Sequence, residues 1–303
     1  MKRLRRISIV LFMISVIVFG VFWYREKIKK DQTGPVFHVD NGALMISVKD
    51  DDTSLLNGIT ASDVKDGDVT DSIIVEAISP FTGTGRRVID YAAFDSDNHV
   101  THIKRDLVYT DYTASRFSMS GPMEFPLNAT NLLERIKAED CIDGDVTRSI
   151  KLMSEDEIDT SHVGEYNARL KVSNSAGGVS YLPVVIEVYD SSVRYKRPQL
   201  QLTDYLVYIN RGADFDEEEY LDQVTIGSTD YKFVEDDGTY GSSYVPAGNT
   251  DNTIDYRYVE IDSDVDTDTS GYYIVNYSID DTIGGTGTGR ARLYVVVTEG
   301  GTD

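Results

Sequence analysis

The chain has 303 residues, of which 41% are hydrophobic and 10% aromatic, and its formal net charge is −22. This composition excludes wholesale disorder, and the length suits two or three domains of about 100 residues each. Residues 1–30 contain eight Lys/Arg and one Glu, so the rest of the chain carries a net charge of −29. A surface this acidic repels polyanions, so we predict no nucleic-acid partner.

The first predicted element is an apolar helix. Ile7 to Tyr24 form an 18-residue run without a charged side chain, which spans about 27 Å as a helix and matches the hydrocarbon thickness of a bilayer. Basic residues flank the run on both sides, and an aromatic pair closes it in the manner of an interfacial belt. The sequence predicts a cytoplasmic basic segment at 1–6, a transmembrane anchor at 7–24 and a linker at 25–35.

The large acidic, turn-rich region after the helix is the part expected outside the cytoplasm. We therefore predict a single-pass protein of the cell membrane whose C-terminal region is extracytoplasmic. A cleaved signal peptide is the alternative, because V-F-G at 18–20 resembles a cleavage site. Bulky aromatic residues at 22–24 directly follow that site and favour an uncleaved anchor. The final E-G-G-T-D contains no apolar tail, so the helix is expected to be the only tether.

An acidic motif occurs twice after the anchor. The stretch D-V-K-D-G-D-V-T-D-S-I at 63–73 returns as D-C-I-D-G-D-V-T-R-S-I at 140–150. The same order surrounds both copies: an apolar strand, the acidic turn, a short alternating strand, a Gly-aromatic strand and a Val-rich strand. Alternation of apolar and polar residues over 164–172 and 182–188 is typical of half-buried β-strands.

A third unit is recognisable by its second half only, since 265–281 resembles 158–174 and an alternating strand ends at Val297. The acidic turn is missing there, and a long polar stretch occupies 235–253. Short strands between Gly/Asp/Asn turns predict an all-β chain: tandem immunoglobulin-like β-sandwich domains behind one N-terminal transmembrane helix. The predicted domains are 36–111, 123–190 and 198–298, with linkers at 112–122 and 191–198.

The repeated motifs also follow a pattern found elsewhere. Both acidic turns read D-x-x-D-G-D-V-T, and G-x-Y begins a strand at 164–166 and again at 271–273, whereas G-R-R-V-I-D-Y at 85–91 is a looser version. In these sequence motifs the chain from residue 36 onward resembles the bacterial surface immunoglobulin-like repeat family. The resemblance implies an exported bacterial cell-surface protein and implies no reaction.

The acidic turns allow two interpretations. In the structural one, which we favour, Asp-Gly supplies the positive φ of a tight turn, Asp and Thr side chains bond local backbone groups, and Val enters the core. In the other, the carboxylates converge on a calcium ion, which would be the protein's cofactor and would stiffen the domain junctions. The candidate calcium ligands are Asp63, Asp66, Asp68, Asp140, Asp143 and Asp145.

The sequence offers no arrangement typical of an enzyme. The four His residues are few and scattered, and a phosphate loop, a nucleophile elbow and a Cys/His pair are absent. We therefore predict a non-catalytic cell-surface stalk that acts as an adhesion or ligand-binding module, with a cell-surface protein or glycan as its partner. The alternatives are a structural subunit of an envelope complex and a carbohydrate-active enzyme with paired carboxylates.

Tyrosines suggest where a ligand would bind. Twelve of the twenty Tyr residues lie beyond residue 204, and exposed Tyr among Gly, Ser and Asn is typical of recognition surfaces, although Tyr also fills β-strands. Tyr240 and Tyr244 lie in the long polar stretch, and Tyr272 and Tyr294 lie on strand faces opposite the predicted core. These four are the predicted ligand-binding residues, which places the contact in the third unit.

Overall fold

The computed structural model describes residues 2–29, 32–40, 42–154, 157–234, 252–280 and 287–299. The α-helices among these residues are α1 (Lys2–Lys29) and the single-turn α2 (Ser191–Arg194). Most of the other residues lie in β-strands or in the turns that connect them. The chain divides into two compact units, Met1–Thr113 and Ala114–Asp303. The first contains α1 and one β-sandwich, domain 1, and the second contains two, domains 2 and 3. The predicted all-β class is confirmed.

Helix α1 is apolar around its whole circumference. The side chains from Ile7 to Arg25 are all exposed, and the segment is long and apolar enough to cross a membrane. A helix that is apolar on all sides is normally buried, either in the core of a large protein or in a membrane. Its length and composition fit a membrane anchor or a signal sequence.

The described residues of domain 1 form seven strands in two sheets. Its strands are β1 (Val36–Val39), β2 (Leu44–Ile46), β3 (Ile59–Asp63), β4 (Gly67–Asp68), β5 (Ile74–Ile78), β6 (Arg86–Phe94) and β7 (Val100–Tyr109). One sheet has the order β1-β3-β4 and the other the order β2-β7-β6-β5. Residues from both sheets, including Ile59, Tyr91 and Leu107, form the core between them.

Domain 2 repeats this plan strand for strand. Its strands are β8 (Arg116–Met119), β9 (Glu124–Pro126), β10 (Ile136–Asp140), β11 (Gly144–Asp145), β12 (Lys151–Met153), β13 (Gly164–Ser173) and β14 (Val179–Tyr189). The sheets have the orders β11-β10-β8 and β12-β13-β14-β9. The predicted alternation is confirmed, since Leu170, Val172, Leu182 and Ile186 are buried in the core.

The predicted boundary between domains 1 and 2 is wrong. Strand β8 lies inside 112–122, the predicted linker, and pairs with β10 through Phe117 and Ala138. Phe117 is buried in the domain 2 core. Domain 2 therefore begins before residue 123; the short R-F-S-M strand is hidden in a sequence rich in Ser, Thr and Gly, which is typical of turns.

The described residues of domain 3 form eight strands. They are β15 (Gln199–Leu202), β16 (Leu206–Asn210), β17 (Leu221–Ile226), β18 (Thr229–Val234), β19 (Thr253–Asp255), β20 (Glu260–Asp262), β21 (Gly271–Ile279) and β22 (Gly289–Thr298). They form sheets of order β15-β17-β18-β19 and β16-β22-β21-β20. Val275, Tyr277, Leu293 and Val295 are buried in its own core, as the alternation predicts.

Domain 3 has the same topology as domains 1 and 2, including in its first half, where its sequence shows no similarity to theirs. In every domain a short strand, β2, β9 or β16, runs parallel to the last strand of the four-stranded sheet. The hairpin β17–β18, which turns through Gly227 at a φ of +64°, stands where domains 1 and 2 have the acidic motif. Most of the predicted polar stretch, 235–251, lies outside the described residues.

Candidate functional site

The first Asp of each acidic motif closes the turn that follows it. Asp63 Oδ1 accepts hydrogen bonds from the backbone N–H groups of Lys65 and Asp66, at 2.8 and 3.0 Å. Asp140 Oδ1 does the same for Ile142 and Asp143, at 2.9 and 3.1 Å. The following glycine lies at a φ of +76° in the first motif and +69° in the second, where a Cβ would cause strain.

The second Asp of each motif connects the turn to the other sheet by hydrogen bonds. Asp66 accepts bonds from the N–H and hydroxyl of Ser96, in the β6–β7 turn, both at 2.8 Å. Asp143 binds Ser175, in the β13–β14 turn, in the same way, at 2.5 Å from the N–H and 2.6 Å from the hydroxyl. Each pair joins the three-stranded sheet to the four-stranded sheet at one end of the sandwich.

The last two polar positions complete the turn. Asp68 and Asp145 accept the N–H of the Thr two residues later, each at 2.9 Å. Those hydroxyls, of Thr70 and Thr147, accept an N–H from the neighbouring strand, each at 3.1 Å. Each of the six candidate calcium-binding carboxylates thus has a structural hydrogen-bonding role.

The calcium hypothesis gains no support from this geometry. Within the described residues, no three His, Cys, Asp or Glu side chains converge in a way that could hold a metal ion. Asp140 Oδ2 accepts bonds from Ser115 Oγ and Asn174 Nδ2, at 2.6 and 3.1 Å, whereas Asp63 Oδ2 is buried without a partner. Calcium at these turns stays a prediction, and melting midpoints in calcium and in chelator, equal if the turns are purely structural, test it.

Of the four predicted ligand-binding tyrosines, Tyr240 and Tyr244 lie outside the described residues. Tyr272 is 51% exposed and is available for contact. Tyr294 is only 2% exposed, because it packs into the core of domain 2. The prediction for Tyr294 is therefore wrong: it faces away from its own core, as predicted, but domain 2 covers that face.

The buried hydroxyls of domain 3 hold the joint to domain 2. Strand β9 pairs with β14 only from Glu187 onward, so β9 does not reach the backbone of Val185, two residues earlier on β14. The Tyr294 hydroxyl accepts the N–H of Val185 at 2.9 Å and donates to its carbonyl at 3.1 Å, so it replaces a missing strand partner. Tyr208 similarly accepts the N–H of Phe117, on β8, at 2.9 Å. Burial raises the pKa of both hydroxyls, so they stay protonated.

Ion pairs surround this joint. Arg292 of domain 3 lies 2.5 Å from Glu165 and 3.8 Å from Glu187, both of domain 2. Arg194, on α2, pairs with the buried carboxylate of Glu124. Burial raises the pKa of Glu124, Arg194 opposes the increase, and Glu187 adds to it. A cavity of about 250 Å³ is lined by Glu124, Glu187 and Arg194 together with residues of both domains.

A shallow groove lies on the outer face of the four-stranded sheet of domain 2. It has a volume of about 670 Å³ and runs from Met153 and Arg169 to Ile274 of domain 3. Partial burial raises the pKa of Tyr272, and the nearby charge of Arg169 acts in the opposite direction. Tyr181, 37% exposed, lies beside Arg169 on the same sheet. The groove thus lies close to two exposed tyrosines.

Sequence reasoning did not find Arg169, Lys171 or Tyr181. The alternation placed Arg169 and Lys171 on the outer face, where charged residues are ordinary and carry no signal of function. Only the pairing of β12, β13 and β14 brings them beside Lys151 and Tyr181.

No family model and no curated protein matches the chain. The CBM51-2 and INT domains of Clostridium perfringens ZmpB, in complex with GlcNAc, align with 49% of this chain and 26% of that chain, at 16% identity and a TM-score of 0.21. Protocadherin Gamma B2 extracellular cadherin domains 1–5 align with 88% of this chain and 53% of that chain, at 11% identity and a TM-score of 0.18. Drosophila N-cadherin EC1-4 aligns with 79% of this chain and 63% of that chain, at 16% identity and a TM-score of 0.20. The chain spans less than two thirds of each of these structures, and scores this low identify neither a family nor a function.

Proposed function

We propose that this protein is a membrane-anchored, extracytoplasmic stalk of immunoglobulin-like domains that binds a partner at the cell surface without catalysing a reaction. The observation that carries the proposal is the contrast between α1 and the β-domains. Every described side chain of the apolar segment is exposed, whereas the β-domains bury their apolar side chains in cores between their sheets. The helix is therefore free to lie in a bilayer while the domains fold in water.

The extracytoplasmic orientation rests on charge and on the resemblance to bacterial surface repeats. An acidic region of net charge −29 has no attraction to the anionic cytoplasmic face of a membrane. The shared topology of all three domains, including the one that lacks the acidic motif, supports an array of related modules.

A protease that cannot cross the membrane tests this topology. The full chain, produced with a C-terminal epitope tag in bacterial cells whose outer surface is accessible, should lose the tag when intact cells are treated, while a cytoplasmic protein survives. Protection of the tag until the cells are lysed would place the domains inside and contradict the proposal. N-terminal sequencing of the membrane-bound chain distinguishes an intact anchor from cleavage near residue 20.

One observation favours a second candidate, a carbohydrate-active enzyme. The joint cavity brings together Glu124, with a raised pKa, and Glu187, which is the kind of carboxylate pair that glycoside hydrolysis requires. Both carboxylates are already paired with arginine, which suits a structural joint better. Glycan hydrolysis by the wild-type chain that is abolished by Glu124→Gln would establish the enzyme instead.

A further inference from the structure

The outer face of the β12–β13–β14 sheet in domain 2 concentrates positive charge. One cross-strand row consists of Lys151, Lys171 and Tyr181, and the next consists of Met153, Arg169 and Pro183. Lys151 and Arg169 are exposed and Lys171 is half-buried. The two rows hold three cations and no acid, on a chain whose net charge is −22.

This arrangement is costly for the fold itself. Lys151 and Lys171 are directly opposite each other on neighbouring strands, where like charges destabilise a sheet. Glu165 and Glu187 lie further along the same face, but both pair with Arg292. Within the described residues, no carboxylate forms an ion pair with Lys151, Arg169 or Lys171.

The equivalent faces of the other domains are neutral. In domain 1 the corresponding rows pair Ile74 with Ala92 and His102, and Asp90 with Lys104. Asp90 and Lys104 form an ion pair at 3.3 Å, so their charges cancel. In domain 3 the rows mix both signs, with Glu260 and Asp262 on β20 and Arg290 and Arg292 on β22. The shared topology therefore does not require cations at these positions, and domain 2 differs from its own relatives within the chain.

A flat aromatic ring lies among the cations. The Arg169 guanidinium lies 5.6 Å and the Lys171 ammonium 5.8 Å from the centre of the Tyr181 ring. These contacts hold the two charged groups over one ring, and Arg169 also lines the groove. The groove continues past Asn167 and Pro183 towards Ile274. The groove thus contains the cationic Arg169 and the Asn167 amide, and the exposed Tyr181 ring and Lys171 lie next to Arg169 on the same face.

We propose that this face binds a glycan that carries isolated carboxylate groups, with Arg169 and Lys171 pairing a sugar carboxylate and Tyr181 packing against a sugar ring. Arg forms bidentate bonds with carboxylates, and a Tyr ring offers rigid apolar area beside a hydroxyl. The proposal names the partner class for the proposed surface function and rests on it.

Charge density separates this ligand from other anions. Nucleic acid carries one charge per about 1.7 Å of duplex, so most of its charges would meet the acidic surface around the patch. A glycan with sparse carboxylates places one or two charges on the patch, and its other sugars are neutral. These few charges interact with the patch within a Debye length, whereas solvent ions screen the acidic surface further away. An extended acidic peptide binds sheets mainly through the backbone groups of an edge strand, which the face of a sheet does not offer.

The test uses the full chain in detergent micelles and measures binding by calorimetry. The probes are sialyllactose and partly methyl-esterified oligogalacturonate, both of which carry isolated carboxylates, with fully methyl-esterified oligogalacturonate, poly-glutamate and single-stranded DNA as comparisons. We expect binding to at least one carboxylated sugar, weaker binding after esterification, and weaker binding at higher salt. Absence of binding to both acidic sugars, or equal binding to poly-glutamate or to DNA, would overturn the proposal.

Substitutions locate the site. Arg169→Gln should weaken the binding of the acidic sugar about tenfold, since it removes a charge-assisted hydrogen bond. Lys104→Gln removes the same charge from the equivalent face of domain 1 and should leave affinity unchanged. Equal effects of the two variants would show that net charge and not this face governs binding. Because both positions are on the surface, unchanged melting midpoints confirm that each variant is folded, and the protease test of topology stays independent of this result.

Discussion

Asp140 acts as a hub of domain 2, because its buried carboxylate accepts two backbone N–H groups, a hydroxyl and an amide. Asp140→Ala leaves these donors without partners inside the protein, so it should lower the free energy of unfolding of domain 2 by about 3 kcal/mol. Asp63→Ala is the matched variant in domain 1, where Oδ2 has no donor to lose. We expect a smaller loss there, measured by hydrogen exchange of each domain. An equal or larger effect of Asp63→Ala would contradict this assignment.

The same residue gives domain 2 a pH dependence. Burial by itself raises the pKa of Asp140, but the bonds from Ser115, Ile142, Asn174 and Asp143 outweigh it and hold the pKa below its ordinary value of 3.8. A carboxyl group whose pKa is lowered by folding stabilises the folded state above the unfolded-state pKa, and this contribution is lost as the pH falls through the folded-state pKa.

The stability difference between the wild type and Asp140→Asn should therefore be full near neutral pH and shrink below about pH 4. Denaturant midpoints of domain 2 at a series of pH values measure it. A difference that stays constant down to pH 2 would mean that the charge of Asp140 does not contribute.

At the level of elements, strand β22 begins at a position where any residue other than glycine would displace the backbone. A Cβ on Gly289 would lie 2.3 Å from the carbonyl oxygen of Pro198, which is a backbone atom that cannot swing away. Gly289→Ala should destabilise domain 3 by about 2 kcal/mol, as other overpacked substitutions do. Gly83→Ala is the control, since its nearest neighbour would be a flexible Arg86 side chain at 3.9 Å. Comparable melting midpoints of the two variants would show that β22 can move to accommodate the added methyl group.

The elements that the sequence predicts well are those in which local pattern and burial agree. Leu170 and Val172 on β13, and Val275 and Tyr277 on β21, follow a period of two and are buried as expected. The acidic turns are also predictable, because Asp-Gly and the flanking Asp and Thr specify their own local bonds. Strands β15 to β18 were missed, since their turn at Gly227 has no acidic motif to align with the other domains.

At the scale of the whole molecule, what escapes the sequence is whatever depends on contacts between distant segments. Periodicity places Tyr294 on the outer face of β22, but it does not say that this face is covered by β14. The same limit hides the cationic face of domain 2, which exists only because three strands lie side by side. Domain joints and sheet faces are therefore the places where a structure adds most to this sequence.

Two neighbouring valines of β22 belong to different cores, and this makes the joint testable. Val296 is 7% exposed and packs into the core of domain 2, whereas Val297 is 2% exposed and packs into the core of domain 3. Each Val→Ala change should cost about 2 kcal/mol through the cavity that it leaves. Their effects should appear in different places, because the cavities open in different domains.

Hydrogen exchange should distinguish them in the full chain. Val296→Ala should speed exchange in β13 and β14 of domain 2, although the substituted residue belongs to domain 3. Val297→Ala should act first on β15 and β17, which close the core of domain 3 from the other side. If both variants instead affected only domain 3, the core of domain 2 would be complete without Val296. The two domains would then be separate modules in contact, not one cooperative unit.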